Sequence, residues 1–268
     1  MSGDQLDAFR IREEPYYLAL GDEVSLFGAA YAARLPVMLK GPTGCGKTRF
    51  VQHMAWRLQR PLITVACNEE MSASDLLGRY LLEEGATRWQ DGPLTIAARL
   101  GAICYLDEVV EARQDTLVVI HPLTDDRRLL SLPAKSEALQ AHPDFHLVVS
   151  HNPGYQSALK VLKPSTKQRF GAIEFEYPAR AREIEILVHE TGLAEQLAER
   201  LVAIAETARR LKGHGLDEGI STRMLVHAGS LIGQGIGVEA ACQMALVQPL
   251  TDDAELISTL NASVRACL

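Results

Sequence analysis

The feature that most constrains this chain is a glycine-rich loop between a short apolar run and a helical one. Residues 41–48 read G-P-T-G-C-G-K-T and fit the pattern G-x-x-x-x-G-K-[ST]. Residues 35–40 are mostly apolar and predict a buried strand, while residues 48–59 carry apolar side chains at helical spacing. A strand, this loop and a helix in that order predict a triphosphate-binding site in an α/β fold.

Each residue type in the loop has a physical reason to be there. Glycines adopt backbone angles closed to other residues, so the loop can wrap an anion with its N–H groups turned inward. Lys47 places a cation on the β- and γ-phosphates, and the Thr48 hydroxyl ligates Mg²⁺. Cys45 occupies a variable position, although thiol modification there is an alternative. The expected cofactor-binding residues of the loop are Gly41, Pro42, Thr43, Gly44, Cys45, Gly46, Lys47 and Thr48.

Two later strands end in polar side chains suited to the same site. The apolar residues 102–106 run into Asp107 and Glu108, and such a run suits a Walker B element. Asp107 would hold Mg²⁺ together with Thr48, and Glu108 would polarise the attacking water. Residues 146–150 lead to Asn152, which we expect beside the γ-phosphate. The alternatives are a solvated strand end and an ordinary Asn-Pro turn.

The rest of the pattern predicts a parallel sheet with helices on both faces, followed by a smaller helical domain. We expect residues 1–180 to form the α/β nucleotide-binding domain and residues 181–268 an all-α lid. Two hairpin inserts are predicted, at residues 79–92 and 128–142. Predicted strands are Val37–Lys40, Leu62–Cys67, Ile103–Asp107, His146–Ser150 and Ala172–Tyr177; predicted lid helices are 181–189, 193–212, 221–232, 237–247 and 252–267.

Composition argues against several classes of function. The 268 residues carry a net charge of −7 without a block of Lys and Arg, which disfavours a nucleic-acid partner. No apolar run reaches the length of a membrane span, and the N-terminus does not resemble a secretory signal. The five cysteines and eight histidines are scattered, which argues against a zinc site and for a reduced, cytoplasmic compartment.

Taken together, these motifs resemble the MoxR-class AAA+ ATPases, in particular the CbbQ/NorQ/NirQ branch. The resemblance implies an ATP- and Mg²⁺-dependent ATPase with a parallel core sheet of strand order 5-1-4-3-2 and a helical lid. It also implies a homo-oligomeric ring, with a hexamer expected. The matching segments are residues 41–48, 89–94, 106–109, 121–128, 141–145, 152–155 and 219–223.

The resemblance further assigns three catalytic positions besides Glu108. Asn152 matches sensor 1, Arg169 matches the arginine finger, and Arg223 matches sensor 2. An arginine finger that acts in trans would make hydrolysis depend on a neighbouring subunit. Ordinary ion pairs remain the alternative for both arginines. Three lysines crowd the same stretch and are alternative fingers: Lys160, Lys163 and Lys167.

Relatives of this branch suggest the client. CbbQ-type proteins act as rubisco activases with a partner that carries a von Willebrand factor A (VWA) domain, which would place the protein in the cytoplasm or beside carboxysomes. NorQ/NirQ-type proteins assist the maturation of nitric oxide reductase by metal insertion. We favour the rubisco activase. The alternatives are a metal-insertion motor and an ATP-sensing regulatory module, although Glu108 and Arg169 argue against a module without hydrolysis.

Overall fold

The computed structural model of the protein describes residues 7–83, 85–153, 162–213 and 216–267. These residues form two compact units. The first unit contains residues 7–40, the described part of 47–152, and 162–174; the second contains 41–46, 153 and the described residues from 175 onward. The glycine-rich turn thus groups with the second unit, and the domain division after residue 180 stays a prediction.

The first unit is built on a five-stranded sheet in which every neighbouring pair is parallel. The strands of the chain are β1 (Val37–Lys40), β2 (Leu62–Ala66), β3 (Gly78–Glu83), β4 (Ala86–Asp91), β5 (Ile103–Asp107), β6 (Leu129–Leu132), β7 (Glu137–Gln140), β8 (His146–His151) and β9 (Gly171–Glu174). The sheet order is β2-β5-β8-β1-β9. Counting only these five strands, the order read from the β9 edge is 5-1-4-3-2, as predicted.

Short helices and 3₁₀ turns complete the first unit. The α-helices are α1 (Glu23–Ala32), α2 (Lys47–Arg57), α3 (Ala73–Leu77), α4 (Pro93–Leu100), α5 (Gln114–Leu117) and α6 (Pro164–Lys167); the 3₁₀ segments are Val109–Glu111, Val118–Leu123 and Pro133–Lys135. Neighbouring residues of a strand point to opposite faces of its sheet. Accordingly, Met38 and Leu106 belong to a core that α3 and α4 cover. On the other face, the Phe27 ring of α1 lies 5.5 Å from Phe50 of α2 and 5.2 Å from His146.

Both predicted inserts are two-stranded antiparallel hairpins, β3–β4 and β6–β7. The base of the first hairpin is packed tightly against its neighbours. A Cβ atom on Gly78 would lie 2.3 Å from the Gln90 carbonyl oxygen, and one on Gly92 would lie 2.4 Å from that of Leu76. The Gly92 N–H donates to the Leu77 carbonyl at 3.0 Å. Only glycine permits these approaches, so they join the hairpin closely to α3 and α4.

Two predicted elements, a strand and a helix, end earlier in the structure than the sequence pattern indicated. The last sheet strand was expected over residues 172–177, but β9 ends at Glu174 because its partner β1 ends at Lys40, directly opposite. The helix after the glycine loop ends at Arg57 rather than at residue 59, since Gln59 adopts a left-handed conformation with φ 55°. The end of β9 is thus set by its pairing partner, and the end of the helix by the backbone angle of Gln59.

The second unit is helical. Its helices are α7 (Arg180–Thr191), α8 (Glu195–Arg210), α9 (Thr222–Gly233), α10 (Val238–Cys242), a π-helical turn Gln243–Val247 and α11 (Ala254–Cys267). A single core of Leu, Ile, Val and Ala side chains joins them. The helix predicted over residues 237–247 is therefore an α-helix continued by a π turn. No helix among the described residues combines the length and apolar character needed to cross a membrane.

Candidate nucleotide-binding site

The carboxyl ends of three neighbouring strands bring the predicted polar residues to one edge of the sheet. Lys40 ends β1, Asp107 ends β5 and His151 ends β8, and β8 pairs with both of the other strands. In open parallel sheets this edge is where ligands bind. Thr48, in the first turn of α2, reaches the same edge, because its hydroxyl donates to Asp107 Oδ2 at 3.4 Å.

The carboxylate of Asp107 is held by hydroxyl groups on both of its oxygens. Oδ1 accepts from Tyr105 Oη at 2.6 Å and from Ser150 Oγ at 2.5 Å, while Oδ2 faces the Thr48 hydroxyl. Tyr105 and Ser150 are fully buried. Burial, together with the negative charge of Asp107, raises the pKa of Tyr105, so that its phenol stays protonated and donates.

Glu108 follows with an exposed side chain and an unusual backbone conformation. Its φ of 53° and ψ of 48° lie in the left-handed region, which is uncommon outside glycine. The Glu108 N–H donates to Ser150 Oγ at 2.7 Å, and its carbonyl accepts the Glu111 N–H at 2.8 Å. These two bonds hold the strained residue at the start of the first 3₁₀ segment.

Positive charge surrounds the end of β8. Burial lowers the pKa of His151, and the charges of Lys167, Lys40 and Lys47 lower it further. The imidazole is therefore neutral at neutral pH, close to three lysine cations. Asn152, the next residue, is partly exposed. A concentration of cations of this kind marks a place suited to an anion such as a triphosphate.

The turn of the glycine loop belongs to the second unit. Gly44 and Gly46 have φ values of 70° and 102°, which side chains rarely adopt. A Cβ atom on Gly44 would lie 2.6 Å from Ser221 Oγ. The Thr43 carbonyl accepts from Tyr177 Oη at 3.3 Å. Of the remaining turn residues, Cys45 is only 5% exposed, Gly41 is buried and Pro42 is partly buried.

Arg223 lies at the start of α9, in the same unit as this turn. Its backbone N–H donates to the Gly44 carbonyl at 3.4 Å, and its side chain is exposed. The preceding residue, Thr222, donates to the fully buried carboxylate of Glu183 at 2.6 Å. Arg209 binds the same carboxylate through two bonds of 2.8 and 2.6 Å. This buried cluster fixes the backbone from which Arg223 projects.

Arg169 lies in the first unit, between α6 and β9. Its guanidinium forms an ion pair with Asp125 of the same chain. Of the alternative cations, Lys163 precedes α6, Lys167 lies in α6 close enough to influence His151, and Lys160 lies outside the described residues. Within one chain, Arg169 is thus bound to Asp125, while Lys47, Asp107 and Glu108 lie at the sheet edge.

The chemistry of the donors fits Mg²⁺ and a triphosphate. Mg²⁺ prefers oxygen ligands and keeps several waters. The Thr48 hydroxyl and Asp107 carboxylate supply two such oxygens. Among the described residues, no group of three or more His, Cys, Asp or Glu side chains could hold a metal by itself. Oxygens of a bound phosphate and water would complete the shell of a cation held by Thr48 and Asp107.

Three residues of this arrangement were not identified from the sequence: Ser150, Tyr105 and Asp125. Tyr105 lies two positions before Asp107 on the same face of β5, and Ser150 lies two positions before Asn152, next to the last residue of β8. That spacing is a signal the sequence contains. The pairing of Asp125 with Arg169 spans 44 positions and has no comparable local signal.

Two protein-family models match consecutive segments of the chain. The AAA domain (dynein-related subfamily) matches residues 36–170, and the CbbQ/NirQ/NorQ C-terminal domain matches residues 183–267. The chain is 63% identical to Protein CbbQ of Hydrogenophilus thermoluteolus over 98% of both chains. It is 59% identical to Protein NorQ of Paracoccus denitrificans, covering 91% of this chain and 90% of that one. It is 58% identical to the denitrification regulatory protein NirQ of Pseudomonas aeruginosa, covering 92% and 95%.

Solved structures agree on the fold. A point mutant of RuvB from Thermotoga maritima aligns with a TM-score of 0.56 at 14% identity, covering 94% of this chain and 72% of that one. NtrX from Brucella abortus, in complex with ADP, aligns with a TM-score of 0.55 at 18% identity, covering 82% and 51%. These likenesses support the fold alone, whereas the relatives and the two matched domains identify the family. The chain belongs to the CbbQ/NirQ/NorQ branch of the MoxR-class AAA+ ATPases.

Proposed function

We propose that this protein hydrolyses ATP with Mg²⁺ at the subunit junctions of a homo-oligomeric ring, expected to be a hexamer, and thereby remodels a client protein. The observation that carries the proposal is the placement of Asp107, Glu108 and Thr48 at one sheet edge, in a chain whose glycine loop runs directly into Lys47 and Thr48. ATP-binding AAA+ proteins require this combination of an oxygen-ligand pair, a carboxylate base and a phosphate-binding loop.

The residues of the chain divide the chemical work. Lys47 binds the β- and γ-phosphates, and the oxygens of Thr48 and Asp107 orient the cation. When bound, ATP would supply the phosphoryl group and Mg²⁺ would neutralise part of the charge that develops on it. The Glu108 carboxylate accepts a proton from the attacking water, and the Asn152 amide orients that water. The exposed position of Glu108 suits this role, because a base must reach the water.

Arg169 and Arg223 would link hydrolysis to movement. An arginine stays charged at every working pH and offers a rigid fork of donors to phosphoryl oxygens. We assign Arg169 to the site of the neighbouring subunit from the family resemblance; its ion pair with Asp125 of the same chain would have to open for the guanidinium to reach a phosphate. Arg223 would sense the γ-phosphate from the start of α9. Loss of those contacts on hydrolysis would shift the hairpins that press on the client.

Rubisco, with a VWA-domain adaptor, is the favoured client. The support is the resemblance to CbbQ-type activases and 63% identity to a protein named CbbQ. Maturation of nitric oxide reductase by metal insertion is the second candidate. Its support is 59% identity to NorQ and 58% identity to NirQ, which is named a denitrification regulatory protein. ATP-dependent regulation without remodelling is the third candidate.

The experiment combines ATP turnover with client rescue. Purified protein, with and without the VWA-domain partner, is added to sugar-phosphate-inhibited rubisco, and carboxylation and phosphate release are followed together. We expect Glu108→Gln to bind ATP, lose at least about a hundredfold in phosphate release and fail to reactivate rubisco. Glu185→Gln, on the exposed surface of α7, is the control and should retain both activities.

Each negative result points to a different error. Phosphate release by Glu108→Gln at the wild-type rate would refute the assigned base. Normal ATP turnover without any rubisco reactivation, while nitric oxide reductase matures only in the presence of this protein, would replace the favoured client by the second candidate. If the wild type binds ATP but does not hydrolyse it, the ATP-sensing regulatory module would be the remaining candidate.

A further inference from the structure

Ser150 occupies a distinctive place in the sheet. It lies in the central strand β8, fully buried, and its register partner on β1 is Leu39. On the other side the pairing of β8 with β5 ends at Leu106 and Val149. Ser150 therefore lies just beyond the last paired residues of β5 and β8, beside Asp107 and Glu108.

One hydroxyl group contacts both carboxylate residues at this point. Ser150 Oγ donates its hydrogen to Asp107 Oδ1 at 2.5 Å and accepts the Glu108 N–H at 2.7 Å. A serine hydroxyl has one hydrogen to donate and lone pairs to accept, so both bonds form at once. Since both distances are short and the serine is fully buried, this hydroxyl fixes the side chain of one residue and the backbone of the next.

The bond to Glu108 stabilises a conformation that the residue does not favour. Its left-handed φ and ψ angles are costly for a non-glycine residue, and they persist only where surrounding groups hold them. On the amino side of Glu108 the holding group is Ser150; on the carbonyl side it is the Glu111 N–H. Without the Ser150 hydroxyl, the Glu108 N–H would lose its bond and the backbone could relax toward ordinary angles. The carboxylate would then point elsewhere.

Tyr105 provides a natural comparison, because it shares only half of this arrangement. Its hydroxyl donates to the same Asp107 Oδ1 at 2.6 Å, but that bond holds the side chain of Asp107 and not the backbone of Glu108. Together, Tyr105 and Ser150 occupy Oδ1 and leave Oδ2 directed at Thr48. The Tyr105 hydroxyl thus orients only the carboxylate of Asp107. The Ser150 hydroxyl orients that carboxylate and also the backbone of Glu108, the proposed base.

We propose that Ser150 is the positioning residue of the hydrolytic site, which acts through Asp107 and Glu108 and sets the rate of phosphate release rather than nucleotide affinity. This inference rests on the proposed roles of Asp107 and Glu108. Ser150 is fully buried and acts through its bonds to Asp107 and Glu108. Its effect is on where the Glu108 carboxylate lies when the proton is transferred.

The test separates turnover from binding in matched variants. Phosphate release at saturating ATP and Mg²⁺, the dissociation constant for a fluorescent ATP analogue, and the Mg²⁺ concentration for half-maximal rate are measured for Ser150→Ala and Tyr105→Phe. We expect Ser150→Ala to lose about ten- to hundredfold in kcat, with the dissociation constant changed less than about threefold. Tyr105→Phe should mainly raise the Mg²⁺ requirement and lose several-fold less kcat than Ser150→Ala.

Further variants keep the test decisive if Ser150→Ala does not fold. Ser150→Cys keeps a side chain of similar size with a much weaker donor, and it should show the same kcat loss in milder form. Ser150→Thr retains the hydroxyl and should recover most of the rate. Wild-type kcat in folded Ser150→Ala or Ser150→Cys, or equal kcat losses for Ser150→Ala and Tyr105→Phe, would overturn the inference.

The failure of this inference is distinguishable from failure of the proposed function. If Glu108→Gln is inactive while folded Ser150→Ala turns over normally, the assigned base stands and only the role of Ser150 is wrong. If Glu108→Gln turns over normally, the proposed base is wrong, whatever Ser150→Ala does.

Discussion

The histidine that begins β8 predicts a specific loss of stability in mild acid. His146 is 2% exposed, and its ring lies 5.2 Å from Phe27 and 5.3 Å from Tyr31. Its Nε2 has no hydrogen-bond partner among the described residues. Burial, with a smaller contribution from Arg128, lowers the pKa of His146 to about 3. The folded protein therefore keeps this imidazole neutral far below the pH at which a free histidine becomes charged.

The size of the effect follows from proton linkage. The unfolded chain binds a proton at His146 with a pKa near 6.5, whereas the folded chain does not until the pH approaches 3. Between these values the unfolded state holds more protons, so the free energy of unfolding falls as the pH is lowered. Well above pH 6.5 this site causes no loss. At pH 5, one and a half units below 6.5, the loss from this site is about 2 kcal/mol.

Urea unfolding without nucleotide measures this loss directly. The free energy of unfolding is determined at pH 7 and pH 5 for the wild type, for His146→Gln and for His142→Gln, whose histidine is exposed. The titrating groups that the wild type shares with His146→Gln cancel in the comparison, so the wild type should lose about 2 kcal/mol more between the two pH values than His146→Gln, and His142→Gln should behave like the wild type. An equal loss in wild type and His146→Gln would refute the reasoning.

Two further predictions concern the proposed ring of subunits and the helical second unit. Arg169→Ala should bind ATP without turnover, and mixing it with Lys47→Ala should restore about a quarter or less of wild-type phosphate release at mixed junctions; no recovery at any mixing ratio contradicts action in trans. Glu183→Gln should lower the free energy of unfolding by about 3 kcal/mol, because it leaves the Arg209 charge without its buried partner. Exposed Glu185→Gln should cost less than about 0.5 kcal/mol in the same urea titration.

Most of the first unit was predictable, because its signals are local. The glycine loop fixes a strand before it and a helix after it, and the apolar runs of the other sheet strands are bounded by polar residues. The strand order was implied by the family resemblance rather than by spacing, and the observed sheet agrees. The ends of β9 and α2 were wrong by two or three residues, because a pairing partner and a left-handed Gln59 decide them.

The site was predictable in part for the same reason. Lys47, Thr48, Asp107, Glu108 and Asn152 lie in contiguous motifs, and their roles stay predictions. The hydroxyls that hold Asp107 were not identified, because a tyrosine or a serine within an apolar strand is usually an ordinary core residue. The ion pair of Arg169 depends on contacts between distant segments, which no local pattern records.

The glycines at the base of the first hairpin have a mechanical consequence. Gly78 and Gly92 let the backbones of β3, β4 and α3 meet without side chains between them. No flexible linker therefore separates the base of the hairpin from α3 and α4. A small tilt of α4 would therefore move the hairpin with it. Six residues of strand extend about 20 Å, so a tilt of about 10° would carry the far end through about 3–4 Å. A bulkier residue at Gly78 or Gly92 would force these backbones apart and weaken this coupling.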